Sequence, residues 1–420
     1  MITKQKGTND ILGIDAKKRK YVCDIIDAIC EKYNYNYIET PIFEASELFH
    51  RSVGETSDIV TKETYDFVDR GNRNITLRPE GTAGVVRSFI ENKMYGNMSE
   101  PVKVYYNGPM FRYERPQSGR MRQFTQIGIE VIGTDDVMSD AEVISLVYNT
   151  YKLLGINIKI HINTLGDKES RDNYRNALID YFKPHINELC EDCKNRLEKN
   201  PLRILDCKID ADNELMKNAP KTIDYLNETS LNRFEKLKEY LELMEIEYIV
   251  NTSLVRGLDY YNHTVFEVIG NIPEFGSQNV LGGGGRYNGL VEQLGGPSIP
   301  AVGFAMGLDR TILAMESLGV NFKIKDNIDI FIMYGNDEEK ETALYLLQDL
   351  RMNGFVCETD YMNKSFKNQF KSADRYKSKY LIILNSEDIK NYQVRLKDNE
   401  TKEEELVNIN DLIDNLDMKL

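Results

Sequence analysis

The sequence predicts an α+β protein: a mainly antiparallel sheet flanked by helices, interrupted by a helical insertion and followed by a small α/β domain. Three observations predict it. Strand-like runs joined by hairpin signals fill much of the first 166 residues and resume near 259. Between Asp167 and Asn251 the chain turns to charged, helix-favouring segments such as 231–244. Beyond Asn327, strands alternate with helices, the pattern of a separate α/β unit.

Residues 17–33 have helical periodicity through Ile25, Ile26 and Ile29, and 37–43 reads as a strand with Pro41 near its end. A long helix feeding an edge strand is a common way to build a dimer face. Further strands are predicted over 64–68, 74–78, 102–106, 110–114 and 123–132, with helices near 82–92 and 139–154. Strand signals return at 259–269, and a helix follows over 305–318. The last segment reads as strand 329–333, helix 338–353, strand 356–359, a basic helix and strand 380–384. There is no internal repeat and no low-complexity tract.

Composition narrows the class of function. The 420 residues, 41% hydrophobic and 29% charged, suit an ordinary globular protein of two to four domains. The N-terminal segment has no apolar signal region and no window approaches eighteen uninterrupted apolar residues, so neither secretion nor membrane insertion is expected and the cytoplasm is the predicted location. Six cysteines in such a chain predict reduced thiols rather than a disulfide framework. A net charge of −14 counts against a nucleic-acid partner, because neutralising phosphates supplies most non-specific affinity. A local patch overrides that total: from Asn363 to Lys379 six basic residues (Lys364, Lys367, Lys371, Arg375, Lys377, Lys379) face Asp374 alone. A merely solvated helix face is the other reading of that run.

The densest chemistry lies in Phe111-Arg112-Tyr113-Glu114-Arg115, followed by Arg120, Arg122, Phe124, Gln126 and Glu130. A turn at Pro116-Gln117-Ser118-Gly119 makes this a hairpin. Several arginines around one strand pair are costly to gather without an anionic ligand, because each guanidinium stays charged and offers a fork that matches phosphate oxygens. Leu77-Arg78-Pro79-Glu80-Gly81-Thr82 runs from a strand end into a helix, placing a carboxylate and a hydroxyl where an α-ammonium group would be held; Thr82 also reads as a plain helix cap. In Leu254-Val255-Arg256-Gly257-Leu258-Asp259-Tyr260-Tyr261, an arginine beside a glycine is placed to stabilise charge developing on a phosphate. Gly282 to Gly285, before Arg286-Tyr287 and a predicted helix, match neither a Walker nor a Rossmann loop and read as backbone pared down around a small ligand, with Tyr287 at its wall. Gly307-Leu308-Asp309-Arg310 sets an arginine early in a helix, where it can stack on a nucleotide.

These segments resemble the three signature motifs of class II aminoacyl-tRNA synthetases: Pro41 in the first, Phe111-Arg112 through Phe124 in the second, and Gly307 to Arg310 in the third. The 254–261 and 284–287 segments resemble those of the histidine-specific branch of that family. The resemblance spans nearly the whole chain. It implies a discontinuous catalytic domain over 1–166 and 252–322, an insertion over 167–251, and an anticodon-binding domain over 327–420. It implies that Arg112 and Arg310 bind ATP phosphates, with Glu114, Arg120 and Phe124 on the adenosine side. Arg256 would be the cation at the α-phosphate, acting in catalysis with Arg112. Glu80 and Thr82 would hold the α-amino group of L-histidine, while Gln126, Glu130, Tyr261 and Tyr287 would surround its side chain. Neutral imidazole has one donor and one acceptor, and a pocket that pairs both rejects amino acids that leave them unmatched. Arg115 and Gln117 would face the acceptor end of tRNA(His), Mg²⁺ would accompany ATP, and the enzyme would be a homodimer. The alternative is a non-catalytic histidine-sensing paralogue, resembling the regulatory subunit of ATP phosphoribosyltransferase; Arg256 and the domain after Asn327 count against it. A class II synthetase for proline, threonine or glycine would need different residues at 256–261 and 283–287.

One cluster falls outside this scheme. His185, Cys190, Cys193 and Cys207 are spaced H-x4-C-x2-C-x13-C, which suits a structural zinc, but only one close pair is present and buried cysteines are common, so no metal ligand is assigned. Cys23, Cys30 and Cys357 read as core, and His50, His161 and His263 receive no role.

Overall fold

Two ten-residue strands, Val102–Phe111 and Gln123–Ile132, pair antiparallel over their full length from Val102 opposite Ile132 to Phe111 opposite Gln123. They sit in an eight-stranded sheet. Its order is Asn36–Tyr37, Val102–Phe111, Gln123–Ile132, Ala301–Gly307, Val280–Arg286, Asn262–Gly270, Ile158–Thr164, Tyr248–Val250. The computed structural model describes residues 1–420 apart from 54–58, 97–98, 118, 206, 208, 211–212, 273–274 and 276–278, with Val53 and Thr61 described by backbone alone. The sheet is antiparallel except at its two edge pairs, as the α+β prediction requires. Helices Gly13–Lys32, Val137–Leu153 and Leu308–Ser317 pack on one another and on the central strands.

Three expectations change. The predicted strands 102–106 and 110–114 are one strand that runs through Pro109, whose carbonyl accepts from Arg78 Nε at 2.9 Å, away from the paired strand. A proline whose N side faces away from the ladder removes no ladder bond. The predicted strand 37–43 divides, because Asn36–Tyr37 joins the main sheet while Phe43–Ala45 joins Asn74–Leu77 and Tyr65–Val68 in a three-stranded sheet. Thr40, the residue before Pro41, is instead held by Arg78, which donates to its carbonyl at 2.8 Å and its hydroxyl at 3.2 Å. The third change is an additional strand, Val280–Arg286, which contains Gly282 to Gly285.

The chain forms two compact units, Met1–Phe322 and Lys323–Leu420. Within the first, the 167–251 segment carries helices Lys168–Phe182, Glu191–Lys199, Glu214–Lys217 and Glu228–Leu243 around a small core of its own, including Tyr174, Leu178, Phe182, Leu197 and Ile204. Strand Tyr248–Val250, within the range read as helical, closes the edge of the main sheet. The second unit has a five-stranded sheet in the order Cys357–Thr359, Ile330–Met333, Tyr380–Ile383, Gln393–Asp398, Glu404–Asn408, parallel across the first three and antiparallel across the rest. Among the described residues no helix is long and apolar enough to cross a membrane.

Candidate active site

The middle of the large sheet is almost bare of its own side chains on one face, where Gly283 lies opposite Ala305 and Gly303 lies between Gly285 and Glu130. The space is taken by residues reaching over from elsewhere. A Cβ at Gly303 would collide with the Glu130 carboxylate, and one at Gly283 with the Arg256 guanidinium. A cavity of about 420 Å³ opens above this floor, lined among others by Glu80, Thr82, Arg112, Gln126, Arg256 and Tyr287. The glycine run therefore makes room first for protein side chains.

Glu130 is the deepest polar group and is fully buried. It lies opposite Gly303 in the half of strand Gln123–Ile132 that is buried on both faces, and the missing Cβ at Gly303 leaves its carboxylate room. Thr82 Oγ1 donates to its Oε1 at 2.8 Å and the Tyr287 hydroxyl to its Oε2 at 2.6 Å. Burial pushes the Glu130 carboxyl up to about 8, and neighbouring Glu80 adds to the rise against those two hydrogen bonds. Glu80 accepts from the backbone N–H groups of Thr82 at 2.7 Å and Ala83 at 2.8 Å, so Glu80, not Thr82, caps helix Thr82–Glu91. Gln126 Oε1 accepts from Gly81 N–H at 3.2 Å and from the Tyr106 hydroxyl at 3.4 Å. Tyr260, Tyr261 and Tyr287 form an aromatic wall, with ring centroids 4.7 Å and 5.6 Å apart for the two pairs that share Tyr260.

Cations line the other side. Arg112 Nε donates to the Pro79 carbonyl at 2.9 Å, and its guanidinium lies 5.2 Å from the centre of the Phe124 ring. Arg256 pairs with Glu267 at 2.5 Å and lies 5.6 Å from the Tyr261 ring. Burial works against its charge, but Tyr261 and Glu267 outweigh that and keep it protonated. Arg120 approaches Glu114 at 3.6 Å. A second cavity of about 170 Å³ shares Arg112, Glu114 and Arg120 with the first and adds Phe124 and Arg310. Arg310 packs 4.9 Å from the Phe275 ring, and its buried Nε has no hydrogen-bond partner among the described residues. Burial and then the nearby Arg120 charge lower its affinity for its proton, a cost an anionic ligand would remove. Its helix is fixed by Asp309, which pairs with Arg19 and accepts from Thr125 N–H at 2.8 Å.

The predicted residues fall into these places with two exceptions. Arg115 and Gln117 are exposed on the hairpin and do not line either cavity; Gln117 forms a bridge with Arg120 across the turn, whose Ser118 lies outside the described residues. Three side chains at the site were not singled out from sequence: Tyr106, Arg196 and Arg203. Arg203 is buried, donates to the Gly257 carbonyl at 2.5 Å and pairs with Asp259 at 3.2 Å, holding the loop that carries Arg256. Tyr106 was hidden in an ordinary alternating strand, and the two arginines in an ordinary charged helical segment. Arg286 turns away from the cavity: fully buried, it donates to Asp140, the Thr134 carbonyl and Ser139, and anchors the start of helix Val137–Leu153.

Comparison with known proteins fits this geometry. Residues 7–311 match the family model described as histidyl-tRNA synthetase, and residues 329–419 match the anticodon binding domain. A histidine–tRNA ligase of Anoxybacillus flavithermus is 50% identical over 412 residues, covering 98% of this chain and 97% of its own. The crystal structure of the apo S. aureus histidyl-tRNA synthetase superposes with a TM-score of 0.86 at 42% identity, covering 99% of this chain and all of that one. A structure described as an ATP phosphoribosyltransferase regulatory subunit/histidyl-tRNA synthetase from Bacillus halodurans C shares the fold at 24% identity and a TM-score of 0.66, over 91% of this chain and 98% of that one. A glycine-floored antiparallel sheet with converging arginines, followed in the chain by an anticodon-binding domain, defines an aminoacyl-tRNA synthetase. Given the match over both of its parts, the chain belongs to the histidyl-tRNA synthetase family.

Proposed function

We propose that this chain is a histidine–tRNA ligase that activates L-histidine with ATP and transfers it to the 3′ end of tRNA(His). The observation that carries the reading is the buried Glu130, braced by Thr82 and Tyr287 at the closed end of a cavity whose opposite side is cationic. Glu130 offers an acceptor for one imidazole nitrogen. The Tyr287 hydroxyl is already committed to Glu130, so the Tyr261 hydroxyl is left to donate to the other nitrogen. Glu80 and Thr82, buried in the same pocket, hold the α-ammonium group.

ATP lies across the shared wall of the two cavities, its phosphates between Arg112 and Arg310 and its adenosine part against Phe124, Glu114 and Arg120. The histidine carboxylate attacks the α-phosphorus and pyrophosphate leaves; Arg256 neutralises charge that builds at the α-phosphate. The terminal ribose hydroxyl then attacks the acyl carbon, and AMP leaves. Positioning and arginine electrostatics carry most of the acceleration. Mg²⁺ bound with the nucleotide would supply charge neutralisation on the leaving pyrophosphate. Arg115 and Gln117, exposed on the hairpin, face the tRNA acceptor end.

The class II assignment, a homodimer and a cytoplasmic location complete the proposal. Exposed Phe43, Phe67 and Val68 on the three-stranded sheet give a second copy apolar surface to cover. The test is charging of total tRNA with each of the twenty amino acids in turn, with ATP and Mg²⁺. Charging by histidine alone is expected; charging by another amino acid would overturn the pocket assignment, and histidine binding without charging would favour the regulatory paralogue.

A further inference from the structure

The insertion gathers four metal-ligating side chains that the reaction above does not use. Cys190, Cys193, Cys207 and Asp210 place their ligand atoms all within 4.8 Å of one another, and three of the four residues are buried. His185 is not among them, because it turns outward to Glu188 at 2.8 Å. The true spacing is thus C-x2-C-x13-C-x2-D, two pairs each separated by two residues. A C-x2-C pair is a spacing at which structural zinc is gripped from one turn, and a second pair of the same spacing, here with an aspartate as its last member, completes four ligands.

Local geometry agrees at both turns. Cys190 precedes helix Glu191–Lys199 and Cys193 lies in its first turn, with the Cys193 N–H directed to the Cys190 sulfur. At the second pair the Asp210 N–H approaches the Cys207 sulfur at 3.5 Å. The Cys190 and Cys207 sulfurs are 3.6 Å apart. Two sulfurs about 2.3 Å from a tetrahedral Zn²⁺ stand about 3.8 Å apart, so little movement is needed. Cysteines can serve as plain core residues, and Cys193 and Cys207 do border Leu197 and Ile204. The Asp210 carboxylate accepts from the Cys190 N–H at 3.1 Å, which fixes it beside the three sulfurs and adds a charged oxygen to an otherwise thiol cluster.

We propose that Cys190, Cys193, Cys207 and Asp210 hold a structural Zn²⁺ ion, and that the ion clamps the base of the excursion that delivers Arg196 and Arg203 to the cavity. The thirteen residues between Cys193 and Cys207 contain both arginines. Arg196 donates to the Arg203 carbonyl at 3.2 Å, and Asn200 and Arg203 both hold Asp259. Short helices with little core of their own need such a fastening to keep those contacts in register.

Full-length protein, purified under reducing conditions, should contain about one zinc per chain by elemental analysis. After chelation, Co²⁺ should restore the visible bands and sulfur-to-cobalt charge transfer of a tetrahedral thiolate site. Cys193→Ser should abolish both signals. Asp210→Asn, which keeps all three sulfurs, should retain the bands with shifted positions and bind the ion about 10- to 100-fold more weakly. A Cys190–Cys207 disulfide in the native protein, Co²⁺ without thiolate bands, or equal zinc in a Cys190→Ser/Cys193→Ser variant would each overturn the site. Hydrogen exchange tests the clamp: amides of 191–207 should slow at least about 10-fold when metal is restored. Equal exchange with and without the ion would overturn that part. Neither readout depends on the protein charging tRNA.

Discussion

At the scale of single residues, Glu130 couples recognition to stability. Its carboxyl titrates at about 8 in the folded chain, against 4.5 for an unperturbed glutamate. Between these values the folded state holds a proton that the unfolded state has lost, so stability falls as pH rises through that window. Glu130→Gln cannot titrate and should lose this slope, giving a ligand-free protein several degrees more stable than wild type at pH 8 but not at pH 5, by differential scanning fluorimetry. The same variant should lower kcat/KM for histidine about 10- to 100-fold in pyrophosphate exchange above pH 8, where the Glu130 carboxylate is ionised and its hydrogen bond charge-assisted. Gly303→Ala drives a methyl group into that carboxylate and should cost about 1–3 kcal/mol in urea unfolding while raising the KM for histidine. Glu130 was legible in the sequence as an acidic residue within an apolar strand. Arg203 and Asp210 were not, because only tertiary folding brings one to Gly257 and the other to three cysteines.

At the scale of elements, two arginine- or lysine-bearing segments separate the two half-reactions. Helix Phe366–Arg375 exposes Lys367, Lys371 and Arg375 at four-residue intervals, one stripe along one face. Lys364, Lys377 and Lys379 are instead engaged with Asp360, Asp326 and Asp329, so half of the basic run read from sequence is occupied. Changing the three stripe residues to alanine should weaken tRNA binding and reduce its salt dependence by about two to three units of log–log slope, while pyrophosphate exchange stays at the wild-type rate. The loop bearing Arg256 should behave in the opposite way. Arg256→Ala should cut histidine-dependent pyrophosphate exchange by about 10²- to 10³-fold with the circular dichroism spectrum unchanged; near-normal exchange would remove Arg256 from the reaction. Most of these elements could be read from periodicity alone. The errors came at proline and glycine, which report local freedom and not tertiary surroundings: Pro109 sits inside a strand at a point where no ladder bond is asked of it, and four consecutive glycines form strand because neighbouring side chains need their space.

At the scale of the molecule, the chain separates chemistry from reading. Every residue placed in the two cavities belongs to Met1–Phe322, and the basic stripe belongs to Lys323–Leu420. The 1–322 fragment should therefore exchange pyrophosphate in response to histidine within about 10-fold of the whole chain, yet charge tRNA(His) far more slowly at low tRNA concentration. A fragment inert in exchange would show that the second unit supports the first. This division was plain in the sequence, where the alternation of strands and helices changes period beyond Asn327; the insertion's delivery of arginines across to the cavity was not, since the segment's own composition says only that it is helical. The glycine floor bears on inhibition as well. A compound seated beside Gly283 and Gly303 touches backbone atoms that no codon change can alter. Larger side chains there meet Arg256 or Glu130. Drug resistance arising at the floor would disable the enzyme that acquired it, so escape is confined to the rim.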